Sequence, residues 1–427
     1  MDRSQIIPMS DVTLMPLVTP FVNSVIDAWL KPKLAKMMTA SEDLCVAEEL
    51  IQKSFKEYLT RTYEKASFIA VIVFQNQRKK LKELYIPLTL ILEGGKKPQE
   101  FLIDQYSEDL IPLYKRLVIT DRAGMGKSTL TKFLLLSFLD SKAGIPIHIE
   151  LRRLSPEKKL ANLICEEFSG LEGEVSSNVL RELLKMGDFL IFLDGYDEIP
   201  HSQRPEALID IQEFISKAPS NLYVLTSRPE LSLSAFPDFQ SFSIRPLKQA
   251  EAFDLIRKYD QNDEVSGALI ETLKKRDLHS VKDFLTNPLL VSLLYKSYEY
   301  RPNVPFKKHL FYRQVYDSLF ETHDLTKEAF SREKSSGLDI DDFHRVLRSL
   351  GFRTAKLGQV EYGKDELLKL LSETREDCKG LKYRDANVLN DLLHAVPLFN
   401  RDGDYYRWSH KSIQEYFAAQ YICTDSK

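Results

Sequence analysis

Between Leu117 and Ile244 short apolar runs alternate with longer stretches of helical periodicity. Leu117–Thr120, Ile145–Leu151, Asp188–Leu193, Leu222–Ser227 and Phe239–Ile244 read as strands, and Lys127–Ser141 reads as a helix. Strands of this kind lack polar alternation and suit burial on both faces. Separated by helical segments, they predict a parallel sheet with helices on both sides. The expected fold class is therefore α/β, a doubly wound sheet, with helical material before and after it.

Upstream, Ser41 to Arg78 is rich in Glu, Lys, Leu and Ala and predicts long helices. Downstream of Pro246 the strand pattern stops. Residues 247–300 predict helices, and 301–427 predict a further helical unit with a short hairpin at Phe399 to Trp408. Pro16 to Leu30 is the most apolar stretch, but it carries Asn23 and Asp27 and falls short of a membrane span. As an amphipathic helix it suits the core or self-association before a membrane surface. The expected divisions are 1–84, 85–246, 247–300 and 301–427.

Composition narrows the chemistry. A chain of 427 residues exceeds what one core organises and predicts two to four domains. A net charge of −3 supplies no global attraction to nucleic acid or anionic membrane, and no nucleic-acid patch stands out. The four cysteines (Cys45, Cys165, Cys378 and Cys423) are widely spaced, which predicts reduced thiols and a cytoplasmic setting. No histidine precedes His148, so the N-terminal region offers no histidine-dependent catalysis.

The turn after the first strand reads Asp121-Arg122-Ala123-Gly124-Met125-Gly126-Lys127-Ser128-Thr129. Strand, glycine-bearing loop and helix in this order form a phosphate-binding loop. Gly124 and Gly126 let backbone amides turn toward phosphate oxygens, and the helix N-terminus adds its positive end. Lys127 is expected to neutralise phosphate and Ser128 to ligate Mg²⁺. Asp121 departs from the usual pattern, which has glycine there.

A second apolar strand runs into Asp194-Gly195-Tyr196-Asp197-Glu198. Strand ends at the carboxyl edge of such sheets bind ligands. Asp194 fits a metal-holding carboxylate, and Asp197 or Glu198 a group that orients an attacking water. The strand ending Thr226-Ser227-Arg228-Pro229 brings Arg228 to the same edge, either as a phosphate-sensing cation or as a solvated surface residue.

Three motifs in this order resemble the NACHT group of STAND NTPases, regulators that include animal inflammasome receptors and bacterial antiphage proteins. The matching stretches are Ala123 to Leu130, Leu193 to Ile199 and Thr226 to Pro229. The resemblance extends to Ile145–Arg152, to Asn287-Pro288-Leu289-Leu290, and to Trp408–Ala419 with its His410. Tyr85-Ile86-Pro87-Leu88 is similar to the segment that lies along the adenine. The likeness covers roughly residues 80–420 and looks closer to bacterial members.

The resemblance implies a nucleotide site made of Tyr85, Pro87, Arg122, Ala123, Gly124, Met125, Gly126, Lys127, Ser128, Thr129, Pro288 and His410. It implies Asp194, Asp197, Glu198 and Arg228 in hydrolysis, with Ser128 and Asp194 on Mg²⁺. Pro288 would pack on the base while also starting a helix, and His410 would touch the β-phosphate, although a core histidine is the plainer reading of its position. The implied cofactors are ATP or ADP with Mg²⁺. The implied behaviour is a switch that oligomerises on exchange of ADP for ATP, with slow hydrolysis as a timer, in antiviral defence and triggered by an unidentified ligand such as a phage component. An ATP-driven remodelling enzyme of the AAA+ type is the main rival, and a kinase or an inactive scaffold fit less well. Relatives of this kind usually continue into a sensor, so a chain ending at Lys427 is expected to be truncated or to sense in an unusual way.

Overall fold

The computed structural model describes residues 22–38, 45–71, 73–74, 78–94, 98–122, 124–169, 176–200, 202–229, 231–260, 262–275, 284–305, 307–325, 334–396, 398–402 and 404–425. Residues 16–21 of the amphipathic stretch and Ala123 of the phosphate loop lie outside them.

The described end of the amphipathic stretch is core. Ile26, Trp29 and Leu30 are buried, and the Trp29 ring sits edge-on to Phe189, centroids 4.7 Å apart. Helix α1 (Cys45–Ser67) follows. Its Phe55 and Tyr58 pack on Phe168, and the Tyr58 hydroxyl donates to the Pro146 carbonyl at 2.9 Å. The helix expected to reach Arg78 stops at Ser67 instead. Phe68–Ala70 (β1) pairs antiparallel with Arg78–Lys80 (β2). The aromatic and β-branched run Phe68-Ile69-Ala70-Val71 favours strand geometry over helix.

Seven strands form the central sheet: β3 (Leu88–Leu92), β4 (Glu100–Ile103), β5 (Arg116–Thr120), β6 (Ile145–Glu150), β7 (Phe189–Asp194), β8 (Leu222–Ser227) and β9 (Gln240–Ile244). Their order is β4-β3-β9-β5-β8-β7-β6. The five strands read from the sequence are parallel to one another. The expectation of a purely parallel sheet is corrected at one edge, where β3 runs antiparallel to both β4 and β9. Flanking helices include α2 (Lys127–Ser141), α3 (Leu160–Phe168), α4 (Ser177–Met186) and α5 (Arg204–Lys217). β7 is fully buried over Phe189–Leu193, as its unbroken apolar sequence requires.

Because β8 inserts between β5 and β7, the carboxyl ends of these three strands stand side by side. They deliver Thr120, Asp194 and Ser227 to one edge of the sheet.

Beyond the sheet come α6 (Gln249–Tyr259), α7 (Glu264–Lys275), α8 (Pro288–Tyr300), α9 (Lys308–Leu325), α10 (Ile340–Leu357), α11 (Lys364–Asp377) and α12 (Asp385–His394). The predicted hairpin is present as β11 (Phe399–Asp402) with β12 (Tyr405–Trp408), and Tyr362–Gly363 (β10) adds a third strand. Helix α13 (Lys411–Thr424) packs tightly along α10. The close crossing depends on Gly351, where a Cβ would stand 2.8 Å from Phe417 Cβ and 3.1 Å from the Ala418 nitrogen. Among the described residues no helix is long and apolar enough to cross a membrane.

Candidate functional site

The loop between β5 and α2 has the conformation its glycines allow. Gly124 and Gly126 have φ of +81° and +94°, which residues with a Cβ rarely adopt. Space for a side chain is tight as well. A Cβ on Gly124 would lie 2.8 Å from both Asn287 Oδ1 and Leu289 Cβ, and one on Gly126 would lie 3.1 Å from Leu88 Cδ1.

The start of α8 rests on this loop. The Leu289 amide donates to the Gly124 carbonyl at 3.3 Å, and Asn287 Nδ2 reaches Met125 Sδ at 3.5 Å. Asn287 Oδ1 caps α8 by accepting from the amides of Leu289 and Leu290. Pro288, at the first helical position, thus stands beside the loop.

Lys127 donates to the Asp121 carbonyl at 2.5 Å and to the Arg122 carbonyl at 3.0 Å. Burial lowers its pKa, against the pull of the Asp197 and Asp121 carboxylates. Its ammonium lies curled inside the loop, where a phosphate group would substitute for those carbonyls. The Arg122 and Ser128 side chains are exposed and Thr129 is half-buried.

Asp121, which departs from the usual glycine, has a structural role. Its Oδ1 accepts from the Arg122 amide at 2.7 Å and its Oδ2 from the Ile244 amide at 3.0 Å. The carboxylate therefore pins the end of β5 to the neighbouring β9.

Asp194 terminates β7. Burial works against its charge, but His148 and the hydroxyls of Thr226 and Ser128 more than offset it and hold its pKa at about 2. His148 Nε2 lies 3.7 Å from Asp194 Oδ2, and Thr226 Oγ1 donates to Asp194 Oδ1. The same Thr226 oxygen accepts from the Gly195 amide at 2.9 Å, so β8 fixes the turn after β7.

An ionised carboxylate facing the Ser128 hydroxyl fits Mg²⁺, a hard cation that takes few protein oxygens and keeps water and phosphate as its other ligands. No group of three or more candidate metal ligands occurs among the described residues.

Asp197 and Glu198 differ in surroundings. Asp197 is bound on its oxygens by the Arg228 amide at 3.0 Å and Arg228 Nε at 3.2 Å, with Lys411 Nζ at 3.9 Å. Glu198 is raised to about 7, chiefly by burial; the Arg152 charge opposes the rise, while Asp194 and Asp197 add to it. Its side chain keeps 37% exposure. A carboxylate titrating near neutrality can take a proton from water.

Arg228 and His410 meet at this edge although 182 positions separate them in the sequence. Arg228 Nη1 pairs with Glu415 Oε1 at 2.8 Å. His410 caps α13, its Nδ1 accepting from the Ser412 amide at 3.1 Å. Burial, then the charges of Arg228 and Lys127, lower its pKa to about 4. A neutral imidazole that accepts at Nδ1 carries its proton on Nε2 and presents a donor there.

Not every predicted residue gathers here. The Tyr85 ring stacks on Phe133, centroids 3.7 Å apart, and its hydroxyl donates to the Ile103 carbonyl at 2.8 Å. It is 8% exposed and packed as core. Pro87 is exposed and lines a cavity of about 400 Å³ with Ile86, Glu251, Asp254, Arg257 and Lys258.

Sequence reasoning singled out neither His148, Arg152, Lys411 nor Glu415 for a role. Arg152, 8% exposed at its side chain, contacts Glu150 at 2.6 Å, Glu361 at 2.8 Å and Glu198 at 3.4 Å. Its signal was weak: an arginine just past a strand end, at the edge where Asp194 also lies.

Comparisons with known proteins agree with the motif order. Residues 115–263 match the model of the NACHT domain. No curated protein matches the chain. Solved structures with a similar layout include Cdc6p from Pyrobaculum aerophilum, at 14% identity and a TM-score of 0.32, covering 73% of this chain and 92% of that one. A Walker-type ATPase from Pyrococcus abyssi has 13% identity and a TM-score of 0.34, with 73% and 93% covered. A STAND protein with a tetratricopeptide repeat sensor from Pyrococcus horikoshii has 13% identity and a TM-score of 0.36, with 74% and 43% covered. Such scores mark a loose likeness of layout and nothing finer. With its phosphate loop between β5 and α2 and its acidic strand end on β7, the segment 115–263 is a NACHT domain, a P-loop NTPase module set within a longer chain.

Proposed function

We propose that the chain is an ATP/ADP-controlled switch of the STAND type. In this reading Lys127, Ser128 and Thr129 hold the phosphates, with backbone help from Arg122 to Gly126, and Ser128 and Asp194 hold Mg²⁺. Mg²⁺ would neutralise charge on the β- and γ-phosphates. Glu198 takes the proton of the attacking water, Asp197 holds Arg228, and Arg228 reads the γ-phosphate. Pro288 borders the base, and His410 donates from Nε2 to the β-phosphate of ADP.

The observation that carries the reading is the seating of α13 on the phosphate edge. Its cap and first two turns bring His410, Lys411 and Glu415 near Lys127, Asp197 and Arg228. Residues 301–427 thus close over residues 85–246, with 247–300 as the connecting unit. Arg152 on Glu361 is a second tie between them.

Exchange of ADP for ATP would open this arrangement, expose surfaces for self-association, and be reversed by slow hydrolysis. A ligand shifts such an equilibrium only as far as it binds the two states unequally. A cytoplasmic antiviral role with a phage-derived trigger is the setting we assign.

The test is to denature the purified protein and identify the released nucleotide, with Lys127→Ala alongside. Near-stoichiometric ADP in the wild type, lost in the variant, supports the switch. An empty site with brisk continuous ATP turnover refutes it and favours an AAA+-like remodelling enzyme.

A further inference from the structure

Arg228, like Arg152, shares its guanidinium between the two halves of the closed arrangement. Its Nε lies 3.2 Å from Asp197 Oδ2, on the same side of the molecule as its own strand. Its Nη1 lies 2.8 Å from Glu415 Oε1, on α13. The Arg228 side chain is 24% exposed, Asp197 11% and Glu415 50%. The inner pair is thus partly withdrawn from water while the outer carboxylate is half in it.

Lys411 lies one helical turn before Glu415 and therefore on the same face of α13. Its Nζ is 3.9 Å from the same Asp197 oxygen that Arg228 holds. Two residues of α13 thus mirror the charges of the strand ends: the acid of the helix meets the arginine, and the lysine meets the aspartate. Such reciprocal pairs fix register as well as attraction.

A guanidinium has a limited set of donors in one plane, and two carboxylates already occupy its Nε and Nη1. A γ-phosphate brings a more concentrated negative charge to the same edge. Drawn toward it, the guanidinium would loosen its hold on Glu415. ADP, which ends at the β-phosphate, makes no such demand.

We propose that Glu415 is the residue that makes the closed form discriminate against ATP: it competes with the γ-phosphate for Arg228, so that ATP binding releases α13 while ADP binding leaves it seated. The proposal deepens the switch reading above and rests on it. Glu415 is a positioning residue, acting through Arg228, and Lys411 holds Asp197 in place for the exchange of partners.

The consequence is thermodynamic. Part of the ATP binding energy goes into breaking the Arg228–Glu415 pair, and that part appears as weaker apparent affinity. Removing the carboxylate charge should leave ADP affinity almost untouched and tighten ATP binding. A half-exposed ion pair corresponds to a modest effect, about threefold to tenfold in the ratio of the two dissociation constants.

The experiment uses the full chain emptied of nucleotide. Dissociation constants for ADP and for a non-hydrolysable ATP analogue would be measured by calorimetry with Mg²⁺, for wild type, Glu415→Gln and Glu415→Lys. The expected result is a rise in relative ATP preference in Glu415→Gln and a larger one in Glu415→Lys, with thermal midpoints close to wild type without nucleotide. An unchanged ADP-to-ATP ratio in two well-folded variants that still bind nucleotide overturns the proposal and leaves the switch standing. If the wild type binds neither nucleotide, the switch reading itself fails. Should a variant not fold, Lys411→Met supplies a second probe: loosening Asp197 without freeing Arg228 should weaken both nucleotides about equally, and a selective gain for ATP would contradict the assigned roles.

Discussion

A raised carboxyl pKa at Glu198 makes the pH dependence of hydrolysis the sharpest check on the site. The group stands at about 7 instead of its ordinary 4.5, owing to burial first and then to Asp194 and Asp197, with Arg152 pulling the other way. As a base it works ionised. At pH 6 about one molecule in eleven carries the charge, so each unit below 7 should lower the rate roughly tenfold.

Two titratable neighbours at the same edge fall outside this limb. Asp194 titrates at about 2 and His410 at about 4, both below the range. The measurement is kcat/KM for ATP hydrolysis between pH 5.5 and 8.5, since that ratio reports the free enzyme. Wild type should rise to a plateau with a midpoint near 7. Glu198→Gln should lose both the limb and most of the rate. Arg152→Leu should move the midpoint upward, because the charge that favours ionisation is gone. A flat wild-type profile between pH 6 and 8, or the same limb in Glu198→Gln, would refute the assignment.

The same shift has a stability sign. A carboxyl with a folded pKa above its unfolded value stabilises most at pH below 4.5, and that contribution fades as pH rises through 7.

Three further outcomes are expected. Asp121→Gly restores the common loop residue but strips acceptors from the Arg122 and Ile244 amides; chemical denaturation should show a loss of about 1–3 kcal/mol, with nucleotide still bound. His410→Ala removes the cap on the Ser412 amide and should cost about 1 kcal/mol of stability. Stopped-flow release of fluorescent ADP should quicken about tenfold if the Nε2 donor reaches phosphate, and an unchanged rate would return His410 to a purely capping role. Gly351→Val forces side-chain atoms into the α10–α13 crossing, where even a Cβ has 2.8 Å. Overpacking of this kind costs about 1–3 kcal/mol, and the thermal midpoint should fall accordingly.

The sequence made the parallel strands and the three strand-end motifs readable because each is local: an apolar run followed within a few residues by its glycines, acids or arginine. The antiparallel strands β3 and β4 were not readable. Leu88–Leu92 is an apolar run like the others, and only pairing with β9 fixes its direction. Tyr85 reads as a ligand-facing aromatic beside Pro87, yet the stack on Phe133 is set by a helix nearly fifty residues on. Glu415 and Glu361 escaped notice for a related reason. Each is a single acid in an unremarkable polar stretch, and its meaning comes from an arginine about two hundred positions away.

The tight seam at Gly351 also has a mechanical consequence. Because α13 is wedged against α10 at mid-length, it behaves as a rigid bar on a fixed pivot. Glu415, which touches Arg228, lies close to that pivot, and the far end carries exposed Ile422. A helix of 14 residues spans about 20 Å. Tilting such a bar by roughly 15° about its middle shifts each tip by about 2–3 Å, in opposite directions. The loss of one ion pair near the pivot would therefore be amplified into a larger displacement at the far tip, reversed in sense, with no unfolding in between.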